Sequence, residues 1–142
     1  MATYDSNRFL ERRPMRGPGI GGGNVRSGYA RVAVPAGATS ADTIRFLGLP
    51  ALSQILDFHV KATTAITMNI GDAAVPARFA SAQAVAANAL PARVNVPAAF
   101  GFTYPQVGNG IGNKNIVTGA PTVTVVADTV VEVFIVFTVQ EP

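Results

Sequence analysis

The sequence predicts an all-β fold: an antiparallel, jelly-roll-like β-sandwich with one short helical insert and an extended N-terminal arm. Three observations support this prediction. About eight short segments alternate apolar and polar residues and are separated by turn residues. A regular strand-helix-strand alternation is missing, which argues against a parallel sheet. The first 27 residues, in contrast, are rich in Gly and Arg and carry too few apolar residues for a core.

The predicted arm is residues 1–27, and the predicted sandwich body is residues 28–142. Up to residue 31, six arginines face two acids for a net charge of +4, whereas the rest of the chain sums to −1. The run from Gly17 to Asn24 disfavours both helix and strand. The arm therefore suits docking onto an anionic or acidic partner, with charged and apolar contacts predicted at Arg8, Phe9, Leu10, Arg12, Arg13, Met15, Arg16 and Arg26.

From Tyr29 onward the apolar residues recur with a period of two, as in half-buried strands. Gly and Pro residues separate the segments and favour turns between them. The predicted core faces are Ala30, Val32 and Val34; Ile44 and Phe46; Leu56, Phe58 and Val60; and Ile66, Met68 and Ile70.

Residues 77–90 interrupt this pattern, because they are rich in Ala and stop at Pro91. Ala is the best helix former and a residue before proline disfavours helix, so this segment is the predicted helical insert. A further strand is predicted near Arg93–Val96, followed by a Gly/Asn-rich loop from Gly108 to Gly119.

The chain ends in a predicted hairpin of residues 122–126 and 130–139, and its last strand is apolar on both faces. One explanation is a central strand that is covered on both sides. The alternative is a subunit interface on the second face, with Val130, Phe134 and Val136 as the contact residues. A charged fraction of only 13% also favours interfaces that cover part of the surface.

Few residues of the sequence indicate catalysis or metal binding. Cysteine is absent and His59 is the single histidine, which disfavours metal clusters and thiol chemistry. Gly17, Gly19 and Gly22 match a dinucleotide-binding motif, but they follow an Arg-rich segment rather than a strand. We interpret Asp57, His59 and Lys61 as an outward-facing polar stripe on one strand. Asp72 is interpreted as a turn residue. We therefore expect neither an enzyme nor a cofactor, and we expect a soluble protein made in the cytoplasm.

The order of elements in the body resembles that of the small β-sandwich virion structural proteins of tailed bacteriophages, especially their capsid decoration (cement) proteins. The resemblance rests on a strand ending in Ile70-Gly71-Asp72, on the segment Pro76-Ala77-Arg78-Phe79 that leads into the Ala-rich stretch, and on the predicted valine-rich C-terminal hairpin. Such proteins carry an Asp-Arg-Tyr-like element where this chain has Ala77-Arg78-Phe79. The resemblance implies a jelly-roll body that sits as a trimer or other homo-oligomer on the capsid surface of the virion. Its implied partners are the major capsid protein and further copies of itself, with no small-molecule substrate and no membrane.

Other readings of the sequence stay open. Phe100, Phe102 and Tyr104 suit an exposed sugar platform, as in a tail or fibre component or a glycan-binding sandwich. A hydrolase would need His59 beside a serine or a carboxylate in a cleft. Nucleic acid is not the expected partner of the arm, because aromatic residues among its arginines are limited to Tyr4 and Phe9. A merely solubilising tail is the remaining alternative.

Overall fold

A computed structural model describes residues 1–6, 25–50, 52–88, 90–94 and 115–139. These residues form two β-sheets and contain no helix. The strands are β1 (Thr3–Asp5), β2 (Val25–Val34), β3 (Thr43–Leu49), β4 (Ser53–Ala62), β5 (Ile66–Asp72), β6 (Ala80–Val85), β7 (Ala92–Arg93), β8 (Asn115–Pro121) and β9 (Thr129–Val139).

The strand order confirms the predicted jelly-roll-like sandwich. The four-stranded sheet has the order β2-β9-β4-β7, and the five-stranded sheet has the order β1-β3-β8-β5-β6. Apart from β1, this is the eight-stranded jelly-roll arrangement, in which every connection except β5 to β6 crosses between the sheets. The pairings are antiparallel except that of β1 with β3, which is parallel.

The core lies between the two sheets and follows the predicted alternation on most strands. Its largest fully buried side chains include three phenylalanines, one from each of β3, β4 and β9: Phe46, Phe58 and Phe137. Gly119 on β8 makes room for this packing, because a Cβ there would lie 2.9 Å from the Phe46 ring and 3.2 Å from Met68 Sδ. The core therefore needs a glycine in the middle of the five-stranded sheet.

The predicted helical insert is wrong. Residues 80–85 form β6, an edge strand paired with β5, and the described part of residues 77–90 holds no helix. The strand buries Val85, which lies opposite Ile66 of β5, whereas its other residues are half-buried or exposed. The pairing of β6 with β5 and the burial of Val85 outweigh the helix propensity of the Ala residues in this segment.

The predicted C-terminal hairpin is also wrong. The strand before β9 is β8, residues 115–121, which the sequence analysis placed partly in a Gly/Asn-rich loop. Residues 122–128 are instead the connection that crosses from the five-stranded sheet to the four-stranded sheet. Val125 anchors this connection through backbone hydrogen bonds with Gly37 and Ala38, both of 2.8 Å.

A β-bulge shifts the predicted core face of β4. The register with β9 slips between Ile55 and Asp57, so Ile55 is buried and Leu56 is exposed. Beyond the bulge, Phe58 and Val60 point into the core as predicted.

Both ends of the predicted arm belong to strands. Thr3–Asp5 form β1 on the edge of the five-stranded sheet, and Val25 begins β2 on the edge of the four-stranded sheet. Residues 7–24 lie outside the described ranges, so the division into an arm and a body stays a prediction.

Candidate assembly surfaces

The outer face of the four-stranded sheet carries the three residues predicted for a subunit interface. β9 is a central strand, as one of the two explanations required, and Val131, Val133, Ile135 and Phe137 on its inner face are buried. The outer face of β9 is only partly covered: Phe134 has 38% of its surface exposed, and Val130 and Val136 are half-buried. The predicted residues thus share one partly exposed apolar stripe, which we call the β9 outer stripe.

An aromatic pair extends the β9 outer stripe onto β2. Tyr29 lies directly opposite Phe134 in the antiparallel ladder, and their ring centroids are 5.1 Å apart at an interplanar angle of 44°. Such cross-strand aromatic pairs stabilise a sheet by about 0.5–1.5 kcal/mol beyond their burial. The pair therefore holds an apolar surface in a fixed position.

Charges of both signs flank the apolar residues. Glu132 lies between Arg31 on β2 and Lys61 on β4 in the cross-strand register. The Tyr29 hydroxyl donates a 2.6 Å hydrogen bond to Glu132 Oε1, which, together with burial, raises the pKa of Tyr29. Glu132 thus lies within the β9 outer stripe, between Val130 and Phe134, and its charge is flanked by cations on both neighbouring strands.

Asp57 lies on the same outer face, on β4, opposite Val136 of β9. Its carboxylate contacts His59 Nε2 at 2.9 Å and accepts a 3.0 Å hydrogen bond from Arg93 Nε. The hydrogen bond with His59 is the main cause that holds the pKa of Asp57 below its ordinary value. The imidazole is thus paired with a carboxylate, but on an open sheet face rather than in a cleft. Lys61 follows on the same face, as the predicted polar stripe requires.

The first six residues form a second polar contact region, at the edge of β3. Arg45 donates two hydrogen bonds to the Asp5 carboxylate, from Nε at 2.6 Å and from Nη2 at 2.7 Å. Ser6 is fully buried and donates from its hydroxyl to the carbonyl of Phe46. Bidentate pairs of this kind fix orientation as well as contributing stability, so β1 has a defined seat on β3.

Asp42 fastens the start of β1. Its two carboxylate oxygens accept hydrogen bonds from the backbone N–H groups of Thr39, at 2.8 Å, and of Ala2, at 2.7 Å. These bonds hold the pKa of Asp42 below its ordinary value, with that from Thr39 contributing most. The backbone N–H of Thr43 completes the attachment by donating to the carbonyl of Ala2 at 2.9 Å.

Two of the three segments that carry the sequence resemblance, residues 70–72 and 76–79, meet at the loop between β5 and β6, whereas the third, the C-terminal hairpin, does not form. Asp72 is fully buried and accepts from the backbone N–H groups of Ala74 and Val75, which confirms its prediction as a turn residue. Arg78 Nε donates to the second carboxylate oxygen of Asp72. Phe79 then returns the chain to the core, with its ring centroid 6.4 Å from that of Phe58.

The remaining predicted contacts fall largely outside the described residues. Arg26 is half-buried on β2, opposite Phe137. Outside the described ranges lie the other predicted arm contacts, the three glycines of the dinucleotide motif and the proposed sugar platform: Arg8, Phe9, Leu10, Arg12, Arg13, Met15, Arg16, Gly17, Gly19, Gly22, Phe100, Phe102 and Tyr104.

The part of the chain that the structure describes shows neither a metal-binding cluster nor a membrane-spanning helix. There, no cluster of three or more His, Cys, Asp or Glu residues is placed to hold a metal ion. No helix in those ranges is long and apolar enough to span a membrane.

The sequence analysis missed the seat of β1. Asp5 and Arg45 are 40 residues apart and each belongs to a different predicted region, so no local pattern connects them. It also missed the contacts that Asp57 makes with Arg93, because the pairing of β4 with β7 depends on the sheet order.

The fold defines the protein as a small jelly-roll sandwich, and two solved structures share it over nearly the whole chain. A chain of the structure titled "Cyanophage Pam1 capsid asymmetric unit" matches with a TM-score of 0.69 and 25% identity, over 92% of this chain and 96% of that one. A chain of "Capsid of Ralstonia phage GP4" matches with a TM-score of 0.61 and 14% identity, over 99% of both chains. No protein-family model matches the sequence, and no curated protein is significantly similar to it.

Proposed function

We propose that this protein is a capsid decoration, or cement, protein, which binds the outside of an assembled phage head and stabilises it. The observation that carries the proposal is the structural likeness to a chain of the cyanophage Pam1 capsid, at 25% identity and over 92% of the length. The Ralstonia phage GP4 capsid chain supports the same fold.

The size of the matched chains favours an accessory role over that of a shell-forming protein. The likeness covers 96% and 99% of those chains, so each is itself about as small as this sandwich. A single small sandwich with a basic N-terminal region suits attachment to a larger shell. The major capsid protein is the proposed partner, and the arginines of residues 8–26 would form charge-assisted hydrogen bonds with its acidic residues.

The proposed mechanism is mass action rather than chemistry. Many copies that bind the closed shell, but not its separated subunits, lower the free energy of the closed state. The β9 outer stripe adds contacts between copies, so that each bound copy increases the avidity of its neighbours. We propose a homo-oligomer held by this face, with Val130, Phe134 and Val136 in the contact.

Heating of particles tests the function. Particles of the encoding phage that lack this protein should release their DNA at a lower temperature than complete particles. Addition of purified protein should restore the original temperature, because rebinding opposes shell opening. Identical release temperatures with and without the protein would contradict a stabilising role.

A further inference from the structure

The three-residue strand β1 lies at the edge of its sheet with a single hydrogen-bonded neighbour, β3, as the edge strands β2, β6 and β7 also have one neighbour each. It differs from the other named strands in the described ranges because its pairing is parallel. A strand in this position does not hold other strands together. The pairings among the other described strands do not involve β1.

The contacts that seat β1 join residues 2–6 to residues 42–46. They combine the Asp5–Arg45 ion pair, the buried hydroxyl of Ser6, and the hydrogen bonds of Ala2 with Asp42 and Thr43. Tyr4 packs against the core beside them. Every one of these contacts forms equally well with residues 2–6 of another copy, since the seat recognises the sequence of the strand and not its chain of origin.

The length of chain after β1 permits that other origin. Residues 7–24 separate Ser6 from Val25, and 18 residues span at most about 60 Å. The longest strand of the body, β9, has 11 residues and so measures about 36 Å. The connection is therefore long enough to reach the β3 edge of an adjacent copy.

We propose that copies of this chain exchange β1 when they associate, so that residues 2–6 of one copy pair with Asp42–Phe46 of its neighbour. Exchange of an identical element costs no contacts and is a common route from monomers to oligomers. The exchanged strand would tie neighbouring copies together through the Asp5–Arg45 pair. This inference rests on the self-association included in the proposed function, but its test does not involve the capsid.

Disulfide trapping tests the exchange, because the natural chain contains no cysteine. Thr3 lies opposite Thr43 in the β1–β3 register, and adjacent strands are about 4.8 Å apart, a spacing that disulfide geometry accepts. One full-length chain would carry Thr3→Cys and a size tag, and a second, untagged chain would carry Thr43→Cys. The two chains would be co-expressed, separated by size, and oxidised as the oligomer fraction.

Exchange predicts a tagged–untagged product on non-reducing gels, at about twice the chain mass of 14.7 kDa plus the tag. A control pair of Thr3→Cys with Thr124→Cys, which is exposed on the connection before β9, measures chance collisions. A product no stronger than that control would overturn the proposal, as would a protein that is monomeric at every concentration tested.

A chain carrying both Thr3→Cys and Thr43→Cys supplies a second readout, in case one variant folds poorly. Exchange predicts that its oxidised oligomer runs as covalently joined chains. Monomer bands with an internal disulfide would instead place β1 on its own chain and overturn the exchange. Capsid binding, measured separately under reducing conditions, would still report on the proposed function.

Discussion

Arg78 Nε donates a hydrogen bond to Oδ2 of Asp72 at 2.5 Å. This ion pair connects the end of β5 with the residues just before β6, across the loop that joins the two strands. The Asp72 side chain has no exposed surface, and the Arg78 side chain is 20% exposed. Asp72 also accepts two backbone hydrogen bonds within the loop, so one buried carboxylate organises the whole turn. Residues 70–72 and 76–79 thus have a structural role in this chain, which is to fix the turn through the Asp72–Arg78 pair.

Arg78→Ala should lower the free energy of unfolding by about 3 kcal/mol, because it leaves the buried Asp72 carboxylate without its cation. Chemical denaturation measures the change. Arg93→Ala is the matched control: its Nε lies 3.0 Å from Asp57, but the Arg93 side chain is 63% exposed. An exposed pair contributes below about 1 kcal/mol, so equal losses in the two variants would contradict the assignment.

Gly71→Ala should destabilise the same loop by about 2 kcal/mol, through overpacking. A Cβ at this position would lie 2.2 Å from the Val75 carbonyl oxygen and 2.5 Å from the Pro76 carbonyl carbon, and both are backbone atoms. Thermal unfolding measures the loss, with the exposed neighbour Ala73→Ser as the control. A Gly71→Ala protein as stable as the control would show that the loop is not packed as described.

Acid should weaken the protein partly through Asp42, whose pKa in the fold lies below its ordinary value. A carboxyl with a lowered folded pKa contributes stability above its unfolded pKa, and this contribution is lost as the pH falls through the folded pKa. Asp42→Asn should therefore flatten the decline of the melting temperature between about pH 6 and pH 2. Parallel melting curves for the two proteins across this range would contradict the role of Asp42.

Val136→Asp should break self-association while the chain still folds. Val136 lies on the β9 outer stripe, opposite Ser27 and beside Asp57 in the ladder, so an added carboxylate faces the proposed partner copy and not the core. Light scattering after size exclusion reports the oligomer, and melting reports the fold. Val133→Asp is the control, because Val133 is fully buried and its replacement should unfold the body. An unchanged oligomer in Val136→Asp would exclude this face as the interface.

The strands that bury one face could be predicted from the sequence, because alternation alone reveals them. Ala30, Val32 and Val34 on β2 and Ile66, Met68 and Ile70 on β5 are all buried as predicted. Edge strand β6 could not be predicted, since its Ala-rich sequence favours a helix and only its pairing with β5 makes it a strand. The helix or strand propensity of a segment does not show which strands pair across long distances in the sequence.

The error at β8 has a different physical cause. Residues 123–126 are rich in valine, yet Val123 and Val126 are exposed and only Val125 anchors the connection. Residues 115–119 are flanked by Gly and Asn, yet all five are buried, because β8 lies between β3 and β5. The apolar residues on both faces of β9 predicted a central strand covered on both sides; β9 is central, but its outer face is partly exposed in one chain. Whether a second copy covers that face depends on contacts beyond one chain.

Co-sedimentation with empty capsids of the encoding phage, prepared without this protein, tests the central proposal most directly. The comparison is between the full chain and a variant with glutamine at positions 8, 12, 13 and 16, which preserves β1 and β2 at both ends of residues 7–24. The proposal predicts saturable binding of the full chain and strongly weakened binding of the variant, since the arginines supply the charge-assisted contacts. Failure of the intact chain to sediment with the capsids would contradict a decoration role.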